Sequence, residues 1–256
     1  MTGSGAATGS RRGTSSNPDA ASEAPADDGG LRAADGRVPG RRGLATRQRL
    51  LDCTGVLLGR GSYRDIKVVD IARDAQTSPA TFYQYFADVE SAILALAEEM
   101  AAGGTEQLCG PVRTGSWTGA GAFATADEIS GAFIAFWDEN WPLMRVLELT
   151  SEEGDQRFRA VRTRLLNEFT RALADVITTR QAASRRPSAV DPMATAGVLV
   201  SMLAHVAAHR YGFEFYGIRT AELRNSMAHI VYTTVTGQRP PAAGSDGDLS
   251  AARPTR

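Results

Sequence analysis

Apolar positions along the central part of this chain recur at helical spacing, with no strand-like alternation and no internal repeat. Leu50, Leu51, Thr54, Leu57 and Leu58 form one stripe, which predicts a helix from about Leu44 to Arg60 with Gly61 as its C-terminal cap. Val68, Ile71, Ala72 and Ala75 predict a short second helix over Val68 to Ala75. After a tight break at Gln76 and Thr77, a third begins with Ser78 as N-cap and Pro79 at the first helical position, where its missing N–H is no loss. Asp88 can cap a fourth, from Val89 to about Ala102. Short helices separated by so tight a turn are the mark of a helix-turn-helix unit.

The third helix falls in the stretch TSPATFYQYF, Thr77 to Phe86. Helical spacing puts Phe82 and Phe86 together on one inward face and leaves Ala80, Thr81 and Gln84 opposite, flanked by Tyr83 and Tyr85. Such a surface suits a DNA major groove: Gln pairs with adenine, methyl groups touch thymine and hydroxyls reach phosphates. The residues alone leave open a second reading, in which both tyrosines half-pack against neighbouring helices.

Further along, from Gly103 to Thr125, six glycines and Pro111 weaken the periodicity, giving either a mobile connector or a poorly patterned helix. Beyond it, helices are expected at about Asp127 to Asn140, Pro142 to Thr150, Glu153 to Thr179, Pro192 to Phe215 and Thr220 to Thr236. The ends, 1–40 and 239–256, are rich in Gly, Ser, Ala, Asp and Arg and read as disordered tails. The expected body is therefore all-α.

Composition adds a local charge pattern. The net charge is -1 over 256 residues, yet Arg37, Arg41, Arg42, Arg47 and Arg49 form a patch without an acid. Lys67 is the only lysine, which fits either a GC-rich coding bias or a use of arginine's forked donors. Cys53 and Cys109 stand in no metal-ligand or CxxC spacing and suit a reduced cytoplasm as small apolar residues. The N-terminus carries no apolar core of a secretory signal. The most apolar stretch, Met193 to Ala208, is short of a bilayer span and reads as a buried helix, so a cytoplasmic protein with no membrane partner is expected.

The segment TRQRLLDCTGVLLGRGSYRDIKVVDIARDAQTSPATFYQYFADVESAI, Thr46 to Ile93, resembles the DNA-binding domain of the TetR family of bacterial transcriptional regulators. Asp70, Ile71, Ala72, Ala75, Ser78, Thr81, Tyr83, Tyr85 and Phe86 match its pattern at their spacings. The resemblance implies an N-terminal helix-turn-helix domain, here 41–95, joined by a long helix to a C-terminal helical domain, 96–238, for ligand binding and dimerisation, with about nine helices in all. It implies DNA contacts from Thr81, Tyr83 and Tyr85, with Gln84 at a variable reading position; Ser78 and Ala80, in the same stretch, are expected to contact DNA as well. Three positions depart from the family pattern: Gln76 where the turn usually has Gly, Lys67 where an N-cap hydroxyl is expected, and Val89 where a lysine is common. Lys67 could contact a phosphate instead, and Arg41, Arg42, Arg47 and Arg49 could restore charge, as an arm along the minor groove.

Implied partners are a palindromic double-stranded DNA operator, a second copy of the chain and a small molecule. For the last, the large side chains Phe133, Phe136, Trp137, Trp141 and Met144 mark an expected apolar pocket, with Asn140 as a polar fixture and Phe169, Met202, His205 and Phe213 nearby. For dimerisation, the Ala-rich helix at Ala194 to Ala208 and the Leu223, Met227, Ile230, Val231 and Val235 face resemble the family's interface pair. His205 and His209 at i, i+4 lack the Glu of HExxH and a third ligand, so no metal is expected; a pocket or an interface suits them better. No nucleophile–base motif or phosphate-binding glycine loop occurs, and no cofactor is implied. A repressor released by its ligand is the expected function. The alternatives are a ligand-independent or activating DNA-binding regulator and a helical metal-dependent enzyme using His205 and His209.

Overall fold

The apolar stripes close into nine α-helices among the described residues, which in this computed structural model are 40–184 and 190–239. The tails expected at 1–40 and 239–256 lie, but for Gly40 and Arg239, outside them. The helices are α1 (Arg41–Leu58), α2 (Val68–Asp74), α3 (Pro79–Tyr83), α4 (Val89–Thr114), α5 (Gly121–Glu139), α6 (Trp141–Glu152), α7 (Gln156–Ala183), α8 (Pro192–Phe215) and α9 (Thr220–Thr236). One turn of 3-10 helix, Tyr63–Asp65, links α1 to α2, and no strand occurs among the described residues.

Two hydrophobic cores divide the work. Leu50, Leu51, Ile71, Ala75, Phe82, Phe86 and Ala92 fill a small N-terminal head made by α1 to α3 and the start of α4. A larger core fills the body, α4 to α9. The helix α4 belongs to both, because Ala92 faces the head while its neighbours Ile93 and Ala97 face the body. A single 26-residue helix thus links the two cores.

This continuity decides between the two readings of 103–125 in favour of a poorly patterned helix, interrupted only by a short connector. The helix runs on through Gly103, Gly104 and Pro111 to Thr114, and only 115–120 separate it from α5. The glycine that spoiled the pattern serves packing: a Cβ on Gly104 would lie 2.4 Å from Phe136 Cε2 and 3.0 Å from Leu165 Cδ1. Close approach of α5 and α7 to α4 requires hydrogen at that position. The short connector is fixed by Trp117, which is buried and donates from Nε1 to Val112 O at 3.2 Å.

In the body α4 packs on α7 and α5, α5 on α9, and α7 on α8. Arg224 of α9 reaches Asp127 of α5 through a forked pair of bonds, 2.9 and 2.6 Å, and lies over Gly131, which has no side chain to obstruct it. Arg210 of α8 is almost fully buried, donates to Ala207 O at 3.1 Å and pairs with Asp138 of α5. A buried guanidinium requires such a carboxylate.

Two expectations about the last helices need amending. Met227, Val231 and Val235 of α9 are buried within the chain, leaving Ile230 as the exposed apolar residue of the expected face. Helix α8 is 24 residues long and, by length and composition, apolar enough to cross a membrane, with 39% of its most apolar window buried. It buries Ala196, Leu199, Val200, Leu203 and Ala207, while Val198, Ser201, His205 and His209 form an exposed stripe.

Candidate nucleic-acid interface and the aromatic core beneath it

Why the chain turns sharply before α3 is written in its hydrogen bonds. Helix α2 ends with Gln76 at φ 54°, in the left-handed region. Thr77 N donates to Ala72 O at 2.8 Å and Gln76 N to Arg73 O at 3.0 Å, the paired bonds of a Schellman C-cap. A residue with a side chain is strained there, so the departure from glycine carries a real cost. Lys67, as the sequence indicated, starts α2 without a side-chain cap bond and is exposed.

Ser78 then caps α3: its hydroxyl accepts from Thr81 N at 3.1 Å and lies 3.0 Å from Thr81 Oγ1. The bond fixes the start of a helix of five residues. Phe82 and Phe86 are buried with ring centroids 5.5 Å apart, which anchors the helix to the head. Pro79, Ala80, Tyr83 and Gln84 are exposed and Thr81 is half-buried. Tyr83 stands edge-on to Phe82 with its ring in solvent. Tyr85 does not share this exposure: it is half-buried and packs against the head core, so the outward face is narrower than the spacing suggested.

The basic residues divide in the same way. Arg41 and Arg42 open α1 and are exposed. Arg47 is spoken for: its guanidinium donates to Glu99 of α4 at 2.8 Å and lies 5.5 Å from the Phe86 ring centre. It ties α1 to α4, which leaves little of it for a phosphate. Arg37 lies outside the described residues.

Asp88 caps α4 by accepting from both Ser91 N and Ser91 Oγ at 2.7 Å. The Ser91 side-chain bond, followed by the backbone bond, holds the Asp88 carboxyl below its usual value. Across the head–body boundary, Arg64 pairs with Glu153, Tyr63 Oη donates to Glu153 at 3.4 Å, and Arg157 of α7 lies 3.5 Å from Glu90 of α4.

The expected pocket residues separate into two groups. Phe133, Phe136, Trp137, Met144 and Phe169 are all buried in the body core. Phe133 stacks on Trp137 at 5.7 Å and meets Phe169 edge-on at 4.9 Å, while Phe136 meets Trp137 at 5.5 Å. Trp137 Nε1 is buried there with no hydrogen-bond partner among the described residues. Asn140 instead joins two helices, donating from Nδ2 to Phe136 O at 2.9 Å. The break it makes turns Trp141 away from the rings and toward Leu58, Gly59 and Tyr211. Met202 is half-buried at the edge of the core, and Phe213 is half-buried outside it.

His205 is exposed, not part of the aromatic core; its ring stacks on that of His209 at 4.2 Å, and His209 Nδ1 meets the His205 carbonyl at 3.0 Å. Among the described residues no group of three or more His, Cys, Asp or Glu could hold a metal. Burial pushes the Cys53 and Cys109 thiols up, so neither is primed as a nucleophile. Sequence reading missed the buried Arg210 and its Asp138 partner, because only tertiary packing brings α5 and α8 together.

Known structures share this arrangement. FadR of Bacillus subtilis, solved in complex with stearoyl-CoA, is 15% identical, with a TM-score of 0.56 over 75% of this chain and 99% of that one. GusR of Salmonella enterica is 19% identical, with a TM-score of 0.55 over 76% and 95%. A protein described as a TetR-family transcriptional regulator from Mesorhizobium loti is 16% identical, with a TM-score of 0.61 over 77% and 98%. At these identities the likeness concerns the fold. No curated protein matches the sequence. The tetracyclin repressor-like C-terminal domain family matches residues 108–242, more than half of the chain, and the protein therefore belongs to the TetR family of transcriptional regulators.

Proposed function

We propose that this regulator binds a palindromic DNA operator as a dimer through α3, acts as a repressor, and is released by an apolar small molecule. The observation that carries the DNA reading is the division of α3, with Phe82 and Phe86 buried and Ala80, Tyr83 and Gln84 exposed beside a half-buried Thr81. In this reading Gln84 reads a base edge, Thr81 and Tyr83 contact the backbone, and Ser78 orients the helix through its cap. Lys67, Arg41 and Arg42 add phosphate contacts, and the half-buried Tyr85 anchors α3 to the head core.

Dimerisation is supported by the apolar side chains that α8 and α9 leave in solvent, among them Val198 at 70% and Ile230 at 47% exposure. Two copies joined there would present two recognition helices about 34 Å apart, or a multiple of it, and two-fold symmetry makes the operator palindromic. The ligand is proposed to enter the Phe133, Phe136, Trp137 and Phe169 cluster. The rings touch one another, so a ligand must part them, and an acceptor on it would satisfy Trp137 Nε1. The stearoyl-CoA bound by FadR of Bacillus subtilis supports an apolar chain as its character.

Genome-wide mapping of bound sites, combined with transcript levels after deletion of the gene, tests the function. A few palindromic sites next to genes whose transcripts rise on deletion are expected. Falling transcripts would replace repressor by activator, and an absence of sites would remove the DNA reading. An apolar library that includes stearoyl-CoA should raise the melting temperature, since a ligand of the folded state stabilises it.

A further inference from the structure

Where the head meets the body there is a cleft of about 280 Å³, bounded by the end of α1, the turn that follows and the first turns of α6. Its apolar wall is Trp141, Pro142 and Val146, and its charged rim is Arg60, Arg64 and Arg145. These cations are poorly neutralised. Arg145 has no hydrogen bond or ion pair among the described residues, and the carboxylate nearest Arg60 is Asp74 at 3.8 Å. Only Arg64 is firmly held, by Glu153.

Guanidinium forks suit a carboxylate or a phosphate, and the aromatic and proline wall beside them suits an anion that carries an apolar body. We propose that this cleft is an effector site for a small organic carboxylate, separate from the aromatic core. The carboxylate bridges Arg145 and Arg64 while its apolar part lies on Trp141 and Pro142. Occupancy is felt by the head because the anion competes with Glu153 for Arg64, and the Arg64–Glu153 pair crosses from head to body. An arginine that leaves Glu153 also leaves Tyr63 as that carboxylate's one remaining hydrogen-bond partner in the head among the described residues.

The cleft contains its own reporter. Trp117 and Trp137 are buried and Trp141 is half-exposed, so a ligand in the cleft changes the Trp141 fluorescence. Benzoate and octanoate, titrated into the full chain without DNA, test the site, with benzamide as the neutral control and inorganic phosphate as the anion without an apolar body. A saturable change with a Kd below about 1 mM for at least one carboxylate, and none for benzamide or phosphate, is expected. Trp141→Phe should abolish the optical signal while the carboxylate still raises the melting temperature. Arg145→Gln, at an exposed position, should weaken binding about tenfold or more through loss of a charge-assisted bond. Glu153→Gln should tighten binding, because it removes the competitor for Arg64. No saturable response to either carboxylate, equal binding of benzamide or phosphate, or an unchanged affinity in Arg145→Gln would overturn the proposal. Because binding is read without DNA, its failure is distinct from failure of the operator reading.

Discussion

Phe82 and Tyr83 are adjacent in the chain and perpendicular in space, their ring centroids 5.7 Å apart at 90°, one wholly buried and the other 53% exposed. Their substitutions should therefore separate stability from recognition. Phe82→Ala empties the middle of the head core and should cost about 3–5 kcal/mol of head stability. Tyr83→Phe removes only a solvent-facing hydroxyl: the melting temperature should hold while affinity falls about three- to tenfold on all DNA sequences alike. Thermal unfolding and fluorescence anisotropy on specific and unrelated duplexes distinguish the two.

The left-handed Gln76 predicts a gain. A side chain costs about 1–2 kcal/mol in that conformation, of which glycine's extra freedom in the unfolded chain takes back about 0.4–1. Gln76→Gly should therefore stabilise the head by up to about 1.6 kcal/mol in chemical denaturation. A loss of stability would show that the Gln side chain makes a compensating contact.

At Gly104 packing and helix propensity oppose each other. Alanine is the better helix former by about 1 kcal/mol, yet its Cβ would meet the ring of the buried Phe136 at 2.4 Å and Leu165 as well. Overpacking of this kind costs about 1–3 kcal/mol, so Gly104→Ala should lower the melting temperature. Gly103→Ala, with nothing within 4 Å of its Cβ, should raise it.

Asp88 gives a pH dependence of known sign. Its carboxyl titrates below the usual 3.8 because Ser91 donates two bonds to it in the folded state. The carboxylate therefore contributes its full stability above about pH 4, and the contribution disappears as pH falls through the lower folded value. Asp88→Asn keeps a cap but should flatten this acid limb of the stability curve, whereas Asp88→Ala should lower stability by about 1 kcal/mol at neutral pH.

Local physics made much of the fold legible beforehand. The N-caps Ser78 and Asp88, the uncapped Lys67, the strained Gln76 and the limits of α8 and α9 each depend on a few neighbouring residues, and the structure has them where the chain's spacing placed them. What failed to show depends on contacts between distant segments. Gly104 looks like a helix breaker until Phe136 and Leu165 cross over it. Trp141 looks like a member of the aromatic cluster until the Asn140 break rotates it toward Leu58. His205 looks apolar by its neighbours, but they face the core and it does not. Arg47 reads as a free cation because Glu99 lies on another helix.

The central claim is that the exposed face of α3 reads DNA. Selection of bound duplexes from a random pool by the full chain, repeated with Gln84→Ala, tests it most directly. The wild type should enrich one palindromic sequence. The variant should lose preference at the symmetric base pair that Gln84 contacts in each half-site, while keeping the rest of the site. An identical enriched sequence from both proteins would contradict the assignment of Gln84, and no enrichment by the wild type would contradict the account as a whole.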